Sequence, residues 1–176
     1  MPDFSEVSLV IAFATFNQYT AQIDRLENVD VARVMADYYK FATTLVRAGG
    51  GRVVKFIGDA ALAVFPQDGA DSGVQALLNL KDAADQFMVE RGWDCRLILR
   101  VHAGTVAAGH FGPERRYDVL GKAVNVTARL ESNGIALSAE AFRSLGPHMR
   151  TRFKKHTPPI TYIRREDGHQ PRWAKR

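Results

Sequence analysis

The chain has little cysteine, no long apolar run and little net charge over most of its length. Cys95 is the one cysteine among 176 residues. A lone thiol cannot close an intrachain disulfide, so a packed core must hold the fold and a reducing, cytoplasmic setting is expected. The most apolar stretch, Val7 to Phe16, is about half the ~20 residues that a membrane-spanning helix needs. Asp3 and Glu6 stand where a secretory leader would be cationic, so neither a leader nor a membrane span is expected. No internal repeat or low-complexity linker interrupts the sequence. Apolar residues make up 46% and charged residues 24%, which excludes disorder over the whole length and leaves room for one domain with a genuine core.

The formal charge of +5 is unevenly placed. From Arg150 to Arg176 there are nine Lys and Arg against two Asp and Glu, so the 149 residues before them are net negative by two. The basic character therefore belongs to the C-terminal end. A domain over residues 1–165 and a solvated, flexible basic tail over 166–176 are expected.

Periodicity supplies the elements. Val7 to Phe13 is short, apolar and rich in β-branched residues, as a buried strand is. Val31, Val34, Met35, Tyr38, Ala42 and Leu45 recur at helical spacing, and Gly49-Gly50-Gly51 ends that helix. Strands at 52–57 and 60–65 meet at Gly58-Asp59 as a hairpin. A helix follows over about 72–90, with Ser72 and Gln75 as a capping box. A strand over 95–104 alternates Leu97, Leu99 and Val101. The order β-α-β-β-α-β is the ferredoxin-like unit of the α+β class, with its helices on one sheet face and the other face left for solvent or a partner. Beyond it the pattern gives a hairpin near 113–116, a helix over 123–131, a strand and helix within 135–145, and a last strand over 160–163 preceded by Pro158-Pro159.

Two long motifs carry a family resemblance. Gly50 to Phe65, GGRVVKFIGDAALAVF, is one. The other runs from Arg100 to Gly109 and on through Tyr117 to Glu131, YDVLGKAVNVTARLE. Together they resemble the catalytic domain of the class III adenylate/guanylate cyclases, over roughly residues 5–165. The resemblance implies the class III nucleotide cyclase fold and conversion of ATP to 3′,5′-cyclic AMP and pyrophosphate, assisted by Mg²⁺ or Mn²⁺. It also implies a head-to-tail dimer, in which the metal carboxylates come from one chain and the base-selecting residues from the other.

The matched positions imply roles. Lys55 and Asp118 stand where the family selects its base. Lysine only donates and an ionised aspartate only accepts, which fits adenine's N1 acceptor and 6-amino donor and mismatches guanine at both. Asn125 and Arg129 share one face of a helix and match the catalytic Asn and Arg that hold the ribose region and the phosphates. Asp59 matches a metal carboxylate, and Lys155 lies nearest the family's phosphate-contacting lysine. His102 and His110 fall within the matched block and are expected to be structural.

The sequence also departs from the pattern. Phe13 to Thr20, FATFNQYT, aligns with the family's F-A-D-x-x-G-F-T, so Thr15 stands in place of the other metal-binding Asp and Gln18 in place of a phosphate-facing Gly. A hydroxyl supplies no charge, and slow turnover or dependence on a partner chain that supplies the carboxylates is expected; restoring the carboxylate by Thr15→Asp should raise any activity. The alternative is a non-catalytic ATP-binding or dimerisation module. An RNA-binding domain of this kind would stack bases on exposed sheet aromatics, and no aromatic pair stands at the inner strands, so nucleic acid is not an expected partner.

Overall fold

The computed structural model describes residues 3–167; residues 168–176, most of the expected basic tail, lie outside the described residues. The first strand, β1 (Phe4–Phe16), sits in the middle of the sheet. Val10, Ala12, Ala14 and Phe16 face one side and Val7, Leu9, Ile11 and Phe13 the other. Apolar contact on both faces is why its sequence reads as a near-continuous apolar run.

A short helix, α1 (Tyr19–Ile23), and a long one, α2 (Asn28–Ala48), lead to the hairpin of β2 (Arg52–Ile57) and β3 (Ala60–Pro66). Then come α3 (Ala70–Glu90), β4 (Leu97–Phe111), β5 (Arg116–Leu120) and α4 (Lys122–Arg129). The sheet order is β2-β3-β1-β4, extended past β4 by β6 (Ile135–Leu137), β8 (Thr161–Arg164) and β7 (Phe153–His156), with β5 also paired to β4. The first four strands thus stand in the ferredoxin-like arrangement. α2 and α3 cover one face, burying Met35, Tyr38, Val74, Leu77 and Met88 against the inward residues of β1, β3 and β4.

Three differences from the sequence reading have physical causes. The capping box does not form. A 3-10 turn at Gln67–Gly69 feeds the chain into α3 at Ala70, and Gly69 offers no side chain to cap it. Gln75 instead donates to Asn79 and accepts from Arg152 Nη1 at 2.6 Å. β4 runs well beyond Gly104, because it pairs with β1 from Phe16↔Leu97 to Phe4↔Gly109 and then forms a hairpin with β5. β7 is a strand that the pattern did not show: Lys154, Lys155 and His156 give it the polar character that edge strands carry.

The second face of the sheet is built differently. Ile11, Leu62, Val64, Val106 and Ala108 form a smaller apolar cluster with Val119 and Ala123. The short helix α4 therefore lies on the side opposite α2 and α3.

Candidate nucleotide site

Lys55 lies on β2 just after an irregularity in its pairing with β3, opposite Leu62. Asp118 lies on β5 opposite Gly109. In the sheet β3 and β1 separate β2 from β4, so β5 has to curl over the second face to bring the two together. Lys55 Nζ donates to Asp118 Oδ2 at 2.8 Å, and the second Asp118 oxygen accepts the Val119 amide at 2.8 Å. One residue before Asp118, the Tyr117 ring lies under the Arg52 guanidinium, 3.7 Å from its centroid. Two contacts thus fasten the β2 and β5 sides of the site.

Gly121 and Gly104 set the position of α4. Gly121 turns the chain from β5 into the helix at φ 149, where a side chain would be strained. A Cβ on Gly104 would stand 2.8 Å from the Ala123 Cβ, so the bare glycine lets the helix rest on β4. Ala123 and Thr127 face inward and are buried, and Thr127 Oγ1 bonds back to the Ala123 carbonyl at 2.7 Å. Asn125 and Arg129 consequently point outward and are exposed.

Arg129 lines a groove of about 1410 Å³ together with Asn17, Arg96, Arg100, Ser132 and His156. Lys55, Asp118 and Asn125 do not line it, and no hydrogen bond joins Arg129 to the Lys55–Asp118 pair among the described residues. Lys155 is exposed on β7, and its neighbours His156, Thr157 and Pro158 line the groove in its stead. The structure therefore brings Lys55 and Asp118 into direct contact, puts Asn125 and Arg129 on one open helix face, and leaves Lys155 apart.

At the end of β1, Asp59 of the β2–β3 turn accepts the Phe16 amide at 2.9 Å, which fixes its carboxylate beside Thr15. A guanidinium occupies the other side of Thr15. Arg100 Nη1 donates to Thr15 Oγ1 at 3.2 Å and Nε donates to the Leu130 carbonyl at 2.9 Å. Burial pushes Arg100 below the usual arginine range. Two divalent ions about 3.5–4 Å apart need carboxylates to balance them. Here Asp59 is a single carboxylate, Thr15 supplies only a neutral hydroxyl already bonded to a cation, and among the described residues no three His, Cys, Asp or Glu gather as a metal cluster. This donor set does not fit a two-ion centre. Sequence reasoning missed Arg100, although a charge at the even position of a strand whose odd positions are Leu97, Leu99 and Val101 was a signal.

His102 is buried, with Nδ1 2.8 Å from Ser138 Oγ, and Ser138 caps helix α5 (Ala139–Arg143) by accepting the Ala141 amide. Burial lowers the imidazole's pKa, against a smaller opposing effect of Glu140 at 3.7 Å. His110 lies edge-on to Tyr117 at 6.0 Å. Both have structural surroundings.

The class is that of the nucleotide cyclase domains. The model of the adenylate and guanylate cyclase catalytic domain family matches residues 1–161, and the chain belongs to that family. It is 30% identical over 133 residues to an adenylate cyclase of Anabaena cylindrica and 29% identical over 133 residues to the terminal-differentiation-specific adenylate cyclase of Dictyostelium discoideum, each alignment covering 70% of this chain. The chain spans only 26% and 6% of those proteins. Among solved structures, the adenylyl cyclase CyaB from P. aeruginosa superposes with a TM-score of 0.79 at 18% identity, covering 95% of this chain and all of that one. The guanylyl cyclase Cya2 gives 0.77 at 20% identity, covering 92% and 93%. At such identities these structures speak for the fold. No helix among the described residues is long and apolar enough to cross a membrane.

Proposed function

We propose that this domain recognises ATP and converts it to 3′,5′-cyclic AMP. The observation that carries the reading is the Lys55–Asp118 pair: a donor and an acceptor 2.8 Å apart, partly open to solvent beside the apolar cluster of the second face. Opened by a base, the ammonium would meet adenine N1 and the carboxylate would accept from the 6-amino group, whereas guanine would oppose donor to donor and acceptor to acceptor. Each mismatch would cost about 1–3 kcal/mol.

In the reaction, the ribose 3′-oxygen bonds to the α-phosphorus while the bond from that phosphorus to the bridging oxygen breaks. Pyrophosphate leaves and the 3′-hydroxyl proton passes to solvent. Asn125 would orient the ribose, and Arg129 would donate its fork to phosphate oxygens as charge develops on them. Because the donor set does not fit two divalent ions, no step is assigned to a metal held by this chain. The half-buried Val7, Leu9, Phe13 and Val54, with exposed Ile57, Leu120 and Val126, give the second face the apolar character of a dimer surface, and a head-to-tail pair would close the site.

The test is formation of cyclic AMP from ATP with Mg²⁺ and with Mn²⁺, using GTP as the control and Asn125→Ala as the inactive variant. A second reading, a nucleotide-binding module without turnover, is favoured by the Thr15–Arg100 contact. Calorimetry with a non-hydrolysable ATP analogue separates the two: binding without product supports the module.

A further inference from the structure

Arg96, Arg100 and Arg129 line the groove beside α4, which also carries the carboxylates of Asp85, Glu131, Glu166 and Asp167, the last two paired with Arg164. Among the described residues none of the three makes an ion pair with a carboxylate. Arg96 bonds to the carbonyls of Trp93 and Cys95, and Arg100 to a carbonyl and the Thr15 hydroxyl. The groove's other strong cation, Lys81, is already neutralised by Asp85 at 2.8 Å. Arg100 is the most constrained of the three. It rises from the central strand β4, is partly removed from water, and two of its donors are fixed by neutral acceptors. Neutral acceptors offset part of the desolvation of a half-buried guanidinium, and an anion at its remaining donors would offset more.

Thr15 makes the placement specific. An aspartate there would pair with Arg100 at about 3 Å, so that each charge is largely spent on the other and Thr15→Asp would not act as a simple restoration of the metal carboxylate. Threonine holds the guanidinium by one neutral hydrogen bond and leaves its charge available. Thr15 and Arg100 therefore act as one unit, a hydroxyl holding a charge.

We propose that Arg100 is a phosphate-binding residue, and that its fixed charge takes over, for the polyphosphate chain of the substrate, neutralisation that the missing carboxylate's metal would otherwise supply. The proposal rests on the nucleotide reading above. It adds a site for inorganic polyphosphate that does not depend on the base.

The probe is inorganic tripolyphosphate, titrated calorimetrically into the whole chain in EDTA. The wild-type protein is expected to bind it without divalent ions. Arg100→Gln should weaken that binding by about tenfold or more, while Arg100→Lys retains a substantial part of it. Adenosine affinity, read in parallel, should not change. If Arg100→Gln releases α4 through the lost Leu130 contact and fails to fold, Thr15→Asp decides, because it keeps the arginine. It should weaken tripolyphosphate by a similar factor and add no Mn²⁺ site in electron paramagnetic resonance titrations. Either of two results overturns the proposal: tripolyphosphate binding in Arg100→Gln equal to wild type, or a new Mn²⁺ site in Thr15→Asp. The two readings fail separately. Arg100-dependent tripolyphosphate binding in a chain that makes no cyclic AMP refutes only the cyclase reading; turnover without that dependence refutes only this one.

Discussion

The Lys55 ammonium and the Asp118 carboxylate bond to each other at 2.8 Å across a sheet in which three other strands separate theirs. The pair is partly open to solvent, with side chains 45% and 24% exposed. Exposed pairs of this kind contribute at most about 1 kcal/mol. Its worth therefore lies in what it would bind. Lys55→Met is expected to leave the melting temperature nearly unchanged while lowering the preference for ATP over GTP by about 10–100-fold. Comparing kcat/KM for the two nucleotides checks this; an unaltered preference would remove Lys55 from base selection.

Arg129 ends α4 with its side chain exposed. Its removal should cost stability only the few tenths to about 1 kcal/mol that a cation contributes at a helix C-terminus. Turnover should suffer far more, with Arg129→Ala lowering kcat by about 10²–10³-fold and ATP affinity only severalfold. Arg129→Lys should recover part of the rate, because a single ammonium cannot reproduce the fork. Single-turnover rates beside equilibrium binding separate the two quantities.

How much of this was legible depended on whether an element carries its own pattern. β1, β3, α2 and α3 bury regular apolar faces, so their periodicity showed them directly. The Lys55 and Asp118 positions were readable through the motifs around them, but their contact was not. It depends on β5 folding back over the second face at the far end of β4, and the full length of the β1–β4 pairing that carries β4 there has no local signature. β7 was invisible because three polar residues in four residues mimic a loop. The capping box failed because Ser72 and Gln75 satisfy the pattern while the upstream 3-10 turn decides where the helix starts. Arg100 was overlooked because what gives it meaning is Thr15, 85 positions away.

His102 makes stability depend on pH. Burial holds its imidazole below the ordinary value of 6.5, so as pH falls through 6.5 the unfolded chain takes up a proton that the folded one still refuses. Stability is therefore full above that window and falls as pH drops through it toward the lower folded value. The slope from this one group cannot exceed about 1.4 kcal/mol per pH unit. His102→Gln keeps a polar partner near Ser138 but removes the titration. Thermal melting from pH 8 to 5 should show a shallower decline for the variant below pH 6.5. Parallel curves would mean that other groups dominate the acid loss.

The seat of α4 permits the sharpest test of whether the site is positioned by packing. Gly104→Ala would place a methyl 2.8 Å from the Ala123 Cβ, and neither atom ends a flexible chain that could swing aside. The helix would have to lift, at a cost of about 1–3 kcal/mol for overpacking. Asn125 and Arg129 ride on that helix, and a displacement of order 1 Å in positioning groups can cost about 10²-fold in rate. Gly104→Ala should therefore depress turnover severely while the protein still folds and Lys55 and Asp118 still bind adenosine. Adding Ala123→Gly removes the opposing methyl at a helix-propensity cost of about 1 kcal/mol. The double variant should recover at least about tenfold of the lost rate, although each substitution alone is harmful. Such coupling, read from a double-mutant cycle, is the mark of one contact shared by two residues; strictly additive losses would mean that something other than Gly104 sets the height of the helix.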